Sequence, residues 1–257
     1  MSESKLCVVI GGGKGIGAAC CTLMSQRGWR LAVADLDKEA ADAVSREIGA
    51  VSYGVDIGDL ASIERLAVDV ERGQGSVSAL VVAAAAFQEK ERAEDFPMEL
   101  WQRILKINLE GAFNANRIFG GKMAKARRGS IVNIASIGGH GSSPNFAYGS
   151  SKAGLINLTQ SLATYWGRSG VRVNSVSPGS VTVARIMNRA PNRYATDVNA
   201  CMALGRRAEP NEVAEAVEFL SSDRASAITG SDLLVDCGWT VANNWAIYGG
   251  TPAPAPL

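Results

Sequence analysis

Short apolar runs rich in β-branched residues alternate along this chain with amphipathic stretches of helical length, the pattern produced when parallel strands are joined by crossover helices. The runs predict strands at 6–10, 31–34, 51–55, 79–83, 130–134, 171–176 and 232–235, with helices filling the gaps. The rhythm breaks over 181–204, where Pro191, three asparagines and weak periodicity predict a long loop or short helices, the kind of insertion that closes over a site. From 241 to 257 periodicity is lost again, and the closing TPAPAPL reads as an extended end outside the core.

A chain of 257 residues can bury one large α/β core, and no linker or composition shift divides it, so residues 1–257 are expected to form one domain. Formal net charge is only +1 with the basic residues scattered, which argues against a nucleic-acid partner and for small-molecule chemistry. The five cysteines (Cys7, Cys20, Cys21, Cys201 and Cys237) are odd in number and lack CxxC spacing, so neither a disulfide framework nor a metal site is indicated and a reducing cytoplasm fits. The polar start MSESK carries no targeting signature, and no apolar segment reaches membrane-spanning length.

Chemistry enters after the first strand. Gly11-Gly12-Gly13-Lys14-Gly15-Ile16-Gly17 opens directly into the apolar-periodic stretch 18–24, giving strand, glycine turn and helix. Such a turn lets backbone approach a pyrophosphate, whose charge the helix N-terminus stabilises. Glycines also close tight turns with no ligand, so the context matters. Asp35, about twenty positions on at the end of the second strand, is placed to accept hydrogen bonds from an adenosine ribose and favours NAD, because a 2′-phosphate would meet its carboxylate despite Lys14 nearby. The alternative makes Asp35 a strand-end or capping carboxylate. Asp56, after the third strand, recurs at the same sheet edge within reach of an adenine amine.

Tyr148 and Lys152 lie one helical turn apart on the same face of a predicted helix. A tyrosine with an ordinary pKa of about 10 is a poor base at neutral pH, but a neighbouring ammonium group favours its phenolate. The spacing alone also occurs in solvated helix edges.

The ordered set Gly11-x-x-x-Gly15-Ile-Gly17, Asp56-Ile57, Asn108 in KINLEGAF, Asn133-Ile-Ala-Ser136, Tyr148-x-x-x-Lys152, and Arg172-Val-Asn-Ser-Val-Ser-Pro178-Gly179 resembles the short-chain dehydrogenase/reductase family, in its single-domain branch of about this length. Gly205-Arg206, Pro210-x-Glu212-Val-Ala, Thr229-Gly230 and Val235-Asp236-Cys-Gly238 extend the match over nearly the whole chain. The resemblance implies a Rossmann-like, doubly wound seven-stranded parallel sheet with helices on both faces. It also implies a catalytic tetrad of Asn108, Ser136, Tyr148 and Lys152. In that scheme Ser136 positions the substrate oxygen and Tyr148 moves its proton. Lys152 lowers the tyrosine pKa and binds the nicotinamide ribose, and Asn108 holds a water linking Lys152 to solvent. Gly11, Lys14, Gly15, Ile16, Gly17, Asp35, Asp56, Ile57, Ala83, Ala85, Tyr148, Lys152, Pro178, Gly179 and Val181 are the expected NAD contacts, and a homotetramer formed through helices near 97–119 and 153–166 is implied.

The chain departs from the family pattern at four places. Ile10 replaces a threonine before the glycine turn, and Ala83-Ala84-Ala85-Ala86 replaces Asn-Asn-Ala-Gly, losing two amides, so packing is expected to replace the brace they provide. Val183 stands where a threonine often bonds the nicotinamide carboxamide, with Thr182 one position earlier, and Cys237 replaces a common glycine and reads as a buried small residue.

On the substrate side, His140 in Gly138-Gly139-His140-Gly141 and Asn145 are candidate pocket residues, with a plain surface-loop histidine as the competing reading of the first. Arg185, Arg189 and Arg193 recur every four residues and form one cationic face if helical, available to an anionic substrate or simply solvated. Trp245 and Tyr248 are candidates to cover a pocket or a neighbouring subunit. The expected activity is NAD-linked interconversion of a secondary alcohol or diol and its ketone. Two alternatives remain: an NADPH-linked 3-oxoacyl-thioester reductase, and a nucleotide-binding sensor or scaffold without turnover.

Overall fold

The computed structural model describes residues 4–89, 91–184, 197–242, 245 and 250. Seven parallel strands, β1 (Leu6–Ile10), β2 (Arg30–Asp35), β3 (Val51–Gly54), β4 (Val77–Val82), β5 (Gly129–Ile134), β6 (Val171–Pro178) and β7 (Asp232–Val235), form one sheet in the order β3-β2-β1-β4-β5-β6-β7. The order reverses between β1 and β4, opening a crevice at the carboxyl ends of the strands, where ligands bind in open α/β sheets.

Alternation along each strand feeds two cores. Leu6, Val8 and Ile10 face one helical layer, formed by α3 (Leu60–Gln74), α5 (Ala112–Lys125) and α6 (Phe146–Trp166). Cys7 and Val9 face the other, formed by α1 (Gly15–Gln26), α2 (Lys38–Ile48) and α7 (Pro210–Ser221). Cys7, Cys20 and Cys21 serve here as small apolar groups, their thiols pushed up by burial.

All seven predicted strands are present; β1 and β7 keep their predicted bounds and the other five shift at one or both ends. β6 runs two residues beyond its apolar stretch, because Ser175–Pro178 pair with Asp232–Val235 of β7. Proline is tolerated there, at a strand end that needs no further N–H donor. One feature has no counterpart in the predicted pattern: Lys106–Gly111 is a π-helical turn between α4 (Met98–Leu105) and α5. Gly111 is required at its end, since a Cβ there would fall 2.4 Å from the Ile57 carbonyl oxygen.

Buried amides tie the layers together. Asn116 and Asn133 exchange side-chain hydrogen bonds at 2.8 and 3.2 Å, and Asn133 also donates to Thr159 Oγ1 at 3.0 Å, tying α5, β5 and α6 together. Asp37 and Asp59 cap α2 and α3, whereas Lys14 and Asn145, at the starts of α1 and α6, make no side-chain cap bond. Both of those helix N-termini face the crevice. Asn133→Leu would strand two buried partners, so it should lower the unfolding free energy by about 2–4 kcal/mol; urea unfolding checks this, and a loss near zero would show the chain of amides to be dispensable.

Candidate active site

The glycine turn folds tightly under two constraints. Gly11, at φ 85, lies against the segment after β4, where a Cβ would fall 2.4 Å from the Ala84 nitrogen, and a Cβ at Gly17 would sit 1.9 Å from the Gly11 carbonyl oxygen. Backbone ties the turn to its neighbours: the Ile10 carbonyl accepts from Ala83 and Ala84 N–H at 2.8 and 3.0 Å, and the Ala34 carbonyl accepts from Gly11 and Gly12. Asp35 ends β2 with one carboxylate oxygen accepting the Gly13 N–H at 2.8 Å and the other the Asp37 N–H at 2.9 Å. Lys14 is drawn to Asp37 at 2.6 Å, which raises the lysine pKa and lowers that of the aspartate. An uncapped helix start suits a pyrophosphate and a strand-end carboxylate suits a ribose diol, so the residues present fit a dinucleotide.

The segment after β4 is held by side-chain amides. Asn108, projecting from the π turn, accepts the Ala86 N–H at 2.7 Å, donates to the Ala86 carbonyl at 3.0 Å and donates again to Ser151 Oγ at 3.1 Å. Ser151 in turn donates to the Tyr148 carbonyl at 2.7 Å. Both N–H groups of Asn108 are thus committed to protein atoms, so the water expected between Lys152 and solvent has neither of them as a donor. Gln88, buried at 3% exposure, accepts the Tyr148 N–H at 3.0 Å and donates to the Pro144 carbonyl at 3.4 Å. It supplies, from a distant segment, the cap that α6 lacks at its own N-terminus. The brace missing from Ala83–Ala86 is therefore restored by hydrogen bonds from Asn108 and Gln88, where packing alone was expected.

Ser136 follows β5 and accepts the Gly138 N–H at 3.1 Å, holding a short turn (Ile137–Gly139) against α6. Gly139 permits that approach: a Cβ would meet the Ala153 nitrogen at 2.8 Å. Tyr148 occupies the first turn of α6, and the ring of Phe87 stacks on it with centroids 5.2 Å apart and planes 24° apart. Lys152 lies 2% exposed, its Nζ donating to the Ile134 carbonyl at 2.7 Å and standing 5.7 Å from the Tyr148 ring centre. Burial pulls its amine down from the ordinary lysine range to about 7.

The remaining expected residues fall into two groups. Asp56, Pro178, Gly179 and Val181 join the glycine turn along the strand ends; Asp56 accepts the Gly58 N–H at 2.8 Å, and Val181 bridges to Ala208. Ala85 continues the braced segment, while Ile16 and Val183 pack against the core, Val183 lying over Gly15. Ile57 is buried, its carbonyl lying against Gly111. His140 turns to the sheet edge, its Nε2 2.6 Å from the Asp232 carboxylate, which also accepts from Ser175. Asn145 immediately precedes α6. Trp245 is half exposed. Arg185, Arg189, Arg193 and Tyr248 lie outside the described residues. Cys237 has φ 54, a left-handed backbone that accounts for glycine being common there in the family; it is partly exposed rather than buried. Phe87 and Gln88 carried no sequence signal beyond an amide next to a segment stripped of amides.

Fold and site together define a dinucleotide-dependent oxidoreductase architecture. A family model described as enoyl-(acyl carrier protein) reductase matches residues 11–240, and the chain belongs to the short-chain dehydrogenase/reductase family. It is 34% identical to D-threitol dehydrogenase of Mycolicibacterium smegmatis, over 93% of this chain and 94% of that one. It is 35% identical to cis-4-hydroxycyclohexanecarboxylate dehydrogenase of Sinomonas cyclohexanicum (92% and 96%) and 32% identical to NAD-dependent glycerol dehydrogenase of Listeria innocua (92% and 94%). Among solved structures, a Brucella melitensis protein described as ribose-5-phosphate isomerase superposes with a TM-score of 0.95 at 42% identity, covering 98% of each chain. A short-chain type dehydrogenase/reductase from Mycobacterium ulcerans gives 0.88 at 26%, covering 94% of this chain and 92% of its own.

Folding depresses the Lys152 pKa from 10.5 to about 7, so between those values the unfolded chain holds a proton that the folded protein does not. Stability of the cofactor-free protein therefore gains from this residue as pH rises through that window, and the burial penalty is full below it. The melting temperature of the wild type should climb relative to that of Lys152→Met between about pH 7 and 9.5; parallel curves would contradict the depressed value.

Proposed function

We propose that the protein is an NAD-linked dehydrogenase interconverting a secondary alcohol or diol and its ketone. The observation that carries this reading is the Lys152 amine, buried beside the Tyr148 ring at the crevice where the glycine turn ends. Bound NAD would accept the hydride from the carbinol carbon, and the protein's own residues would handle the proton and the geometry. Ser136 Oγ would hold the substrate oxygen, and Tyr148 Oη would take its proton. Lys152, protonated below about pH 7 and kept so by a phenolate next to it, would stabilise the tyrosinate and contact the nicotinamide ribose. Gly11, Lys14, Gly15, Ile16 and Gly17 would carry the pyrophosphate, with Asp56 at the adenine. Ala83, Ala85, Pro178, Gly179 and Val181 would flank the nicotinamide half.

NAD rather than NADPH is supported by Asp35 and by the commitment of Lys14 to Asp37, which leaves a 2′-phosphate facing carboxylates. This argues against the 3-oxoacyl-thioester reductase with NADPH. The similarity to threitol, glycerol and hydroxycyclohexanecarboxylate dehydrogenases supports an alcohol substrate. An isomerase reading draws on the Brucella relative, but aldose–ketose exchange gives a dinucleotide turn no part to play. A scaffold without turnover loses its motive once Asn108 and Gln88 brace the alanine segment.

A homotetramer is supported by an apolar groove of about 530 Å³ between α4, α5 and α6, lined by Leu105, Leu109, Phe113 and Leu158; a monomer in sedimentation equilibrium would contradict it. The five free cysteines are in keeping with a cytoplasmic protein, and no described helix is long and apolar enough to cross a membrane. Recovery of the protein from a secreted or periplasmic fraction would contradict that location.

The test is NADH formation across secondary alcohols and diols, with ribose 5-phosphate as an isomerase control. Wild type should reduce NAD at least about tenfold more efficiently than NADP, and Tyr148→Phe should lose about 10³-fold or more in kcat while still binding NADH. Isomerisation of ribose 5-phosphate without NAD, or a Tyr148→Phe variant as active as wild type, would refute the reading.

A further inference from the structure

Ser136 begins a turn whose shape is set from within. The Gly139 N–H donates to the Ser136 carbonyl at 2.9 Å, the His140 N–H donates to the Ile137 carbonyl at 3.0 Å, and Ser136 Oγ accepts the Gly138 N–H. Because that last bond orients the hydroxyl, any displacement of Gly138 turns the group that would hold the substrate oxygen. Shape alone does not fix position. Gly138, Gly139 and Gly141 bring no side chain to pin the loop, and they leave its backbone wide conformational freedom.

His140, between those glycines, supplies an attachment. Its Nε2 lies 2.6 Å from Asp232 Oδ2, and since a carboxylate only accepts, Nε2 carries the hydrogen. The far side of this bond is itself held. Asp232 opens β7 with its side chain 9% exposed, and its other carboxylate oxygen accepts from Oγ of Ser175, a buried residue of β6. The chain just before Asp232 is fastened to β6 as well. Gly230 N–H donates to the Val173 carbonyl at 2.8 Å, Ser231 N–H donates to Asn174 Oδ1 at 3.0 Å, and the Ser231 carbonyl accepts the Ser175 N–H at 2.9 Å. On its other flank the turn meets α6 at Gly139, against the backbone of Lys152 and Ala153. The turn is thus held between the helix that carries Tyr148 and Lys152 and the edge strand that carries Asp232.

We infer that His140 is a positioning residue for Ser136: through Asp232 it locks in place the turn that orients the serine hydroxyl, and so sets that hydroxyl against Tyr148. The inference rests on the dehydrogenase reading above and adds a residue to its machinery. Such a tether acts on the chemical step, where a misplacement of about 1 Å can cost about 10²-fold in rate. Cofactor binding is spared, because the glycine turn and Asp35 follow β1 and end β2, on the other half of the sheet from β7.

The test follows NADH formation from whichever of cyclohexanol, cyclohexane-1,2-diol, glycerol and threitol the wild type oxidises fastest. It compares wild type with Ser136→Ala, His140→Ala, His140→Gln and the Ser136→Ala/His140→Ala double variant. His140→Ala should lose about tenfold in kcat, with KM for NAD and NADH binding by fluorescence within about twofold of wild type. His140→Gln places an amide N–H at about the reach of Nε2 and should recover to within about threefold. Once the Ser136 hydroxyl is gone, removing His140 should cost no more than about twofold further, because the two act as one unit. Melting temperature should fall by no more than about 4 °C, since the His140–Asp232 pair is partly exposed. A His140→Ala variant with kcat within about twofold of wild type would overturn the inference. So would an equal loss on the wild-type and Ser136→Ala backgrounds, which would place the effect elsewhere in the site. NADH binding that weakens in step with kcat would also overturn it, since the pair would then only be supporting the fold. Failure of the wild type to oxidise any of the four while binding NADH would instead remove the dehydrogenase reading, and this inference with it.

Discussion

The double hydrogen bond between the Asn108 side chain and the Ala86 backbone is the contact on which the rest of the site depends. The segment after β4 must lie close enough to the glycine turn that Gly11 can carry no Cβ, yet its four alanines have no polar side chain to hold it there. Asn108 reaches it because a π turn re-aims one residue of an otherwise continuous helical stretch. From the same amide a bond runs to Ser151 and on to the Tyr148 carbonyl, so one side chain sets the separation of the cofactor turn from the helix that bears the tyrosine and lysine. Gln88 closes the loop from the other side by capping the first turn of that helix. Rigid support of this kind keeps reacting groups within the narrow tolerance that proton and hydride transfer require.

Electrostatics follows from the same packing. Pressing α6 onto β5 buries the Lys152 amine with a single carbonyl partner and brings its pKa to about 7, so its charge responds strongly to whatever binds beside it. An anionic phenolate nearby favours the ammonium and the ammonium favours the phenolate, a reciprocal coupling that a solvated lysine would not provide. At the far end of the crevice Asp35 is oriented by Gly13 and Asp37 N–H groups, and Lys14 is drawn away to Asp37. The two ends of the crevice thus differ in sign: negative where a ribose diol would sit, and able to hold positive charge where a substrate oxygen would lose its proton.

Much of this was legible in the sequence, for a physical reason. The central strands, buried on both faces, read as plain apolar runs, and all seven strands were found; ends were misjudged both where pairing outlasts hydrophobicity, as at Ser177 and Pro178, and where hydrophobicity outlasts the strand, as at Val55 and Ala83. The glycine turn and the one-turn spacing of Tyr148 and Lys152 stand out locally in the sequence, whereas Ser136 is legible only through the family resemblance. What was hidden depends on contacts distant along the chain. The π turn leaves the apolar spacing of its helix almost unchanged, Gln88 meets Tyr148 sixty residues away, and His140 finds Asp232 ninety-two residues on. A loop histidine with an unseen carboxylate partner reads as a free pocket residue until that partner is placed.

The most direct test follows the transferred hydrogen. Oxidation of a secondary alcohol carrying deuterium only on its carbinol carbon should place that deuterium in the reduced nicotinamide and slow kcat/KM by roughly 2–6-fold when chemistry limits turnover. Reduced cofactor free of deuterium, or ketone formed without any reduced cofactor, would contradict hydride transfer at the braced Tyr148–Lys152 site.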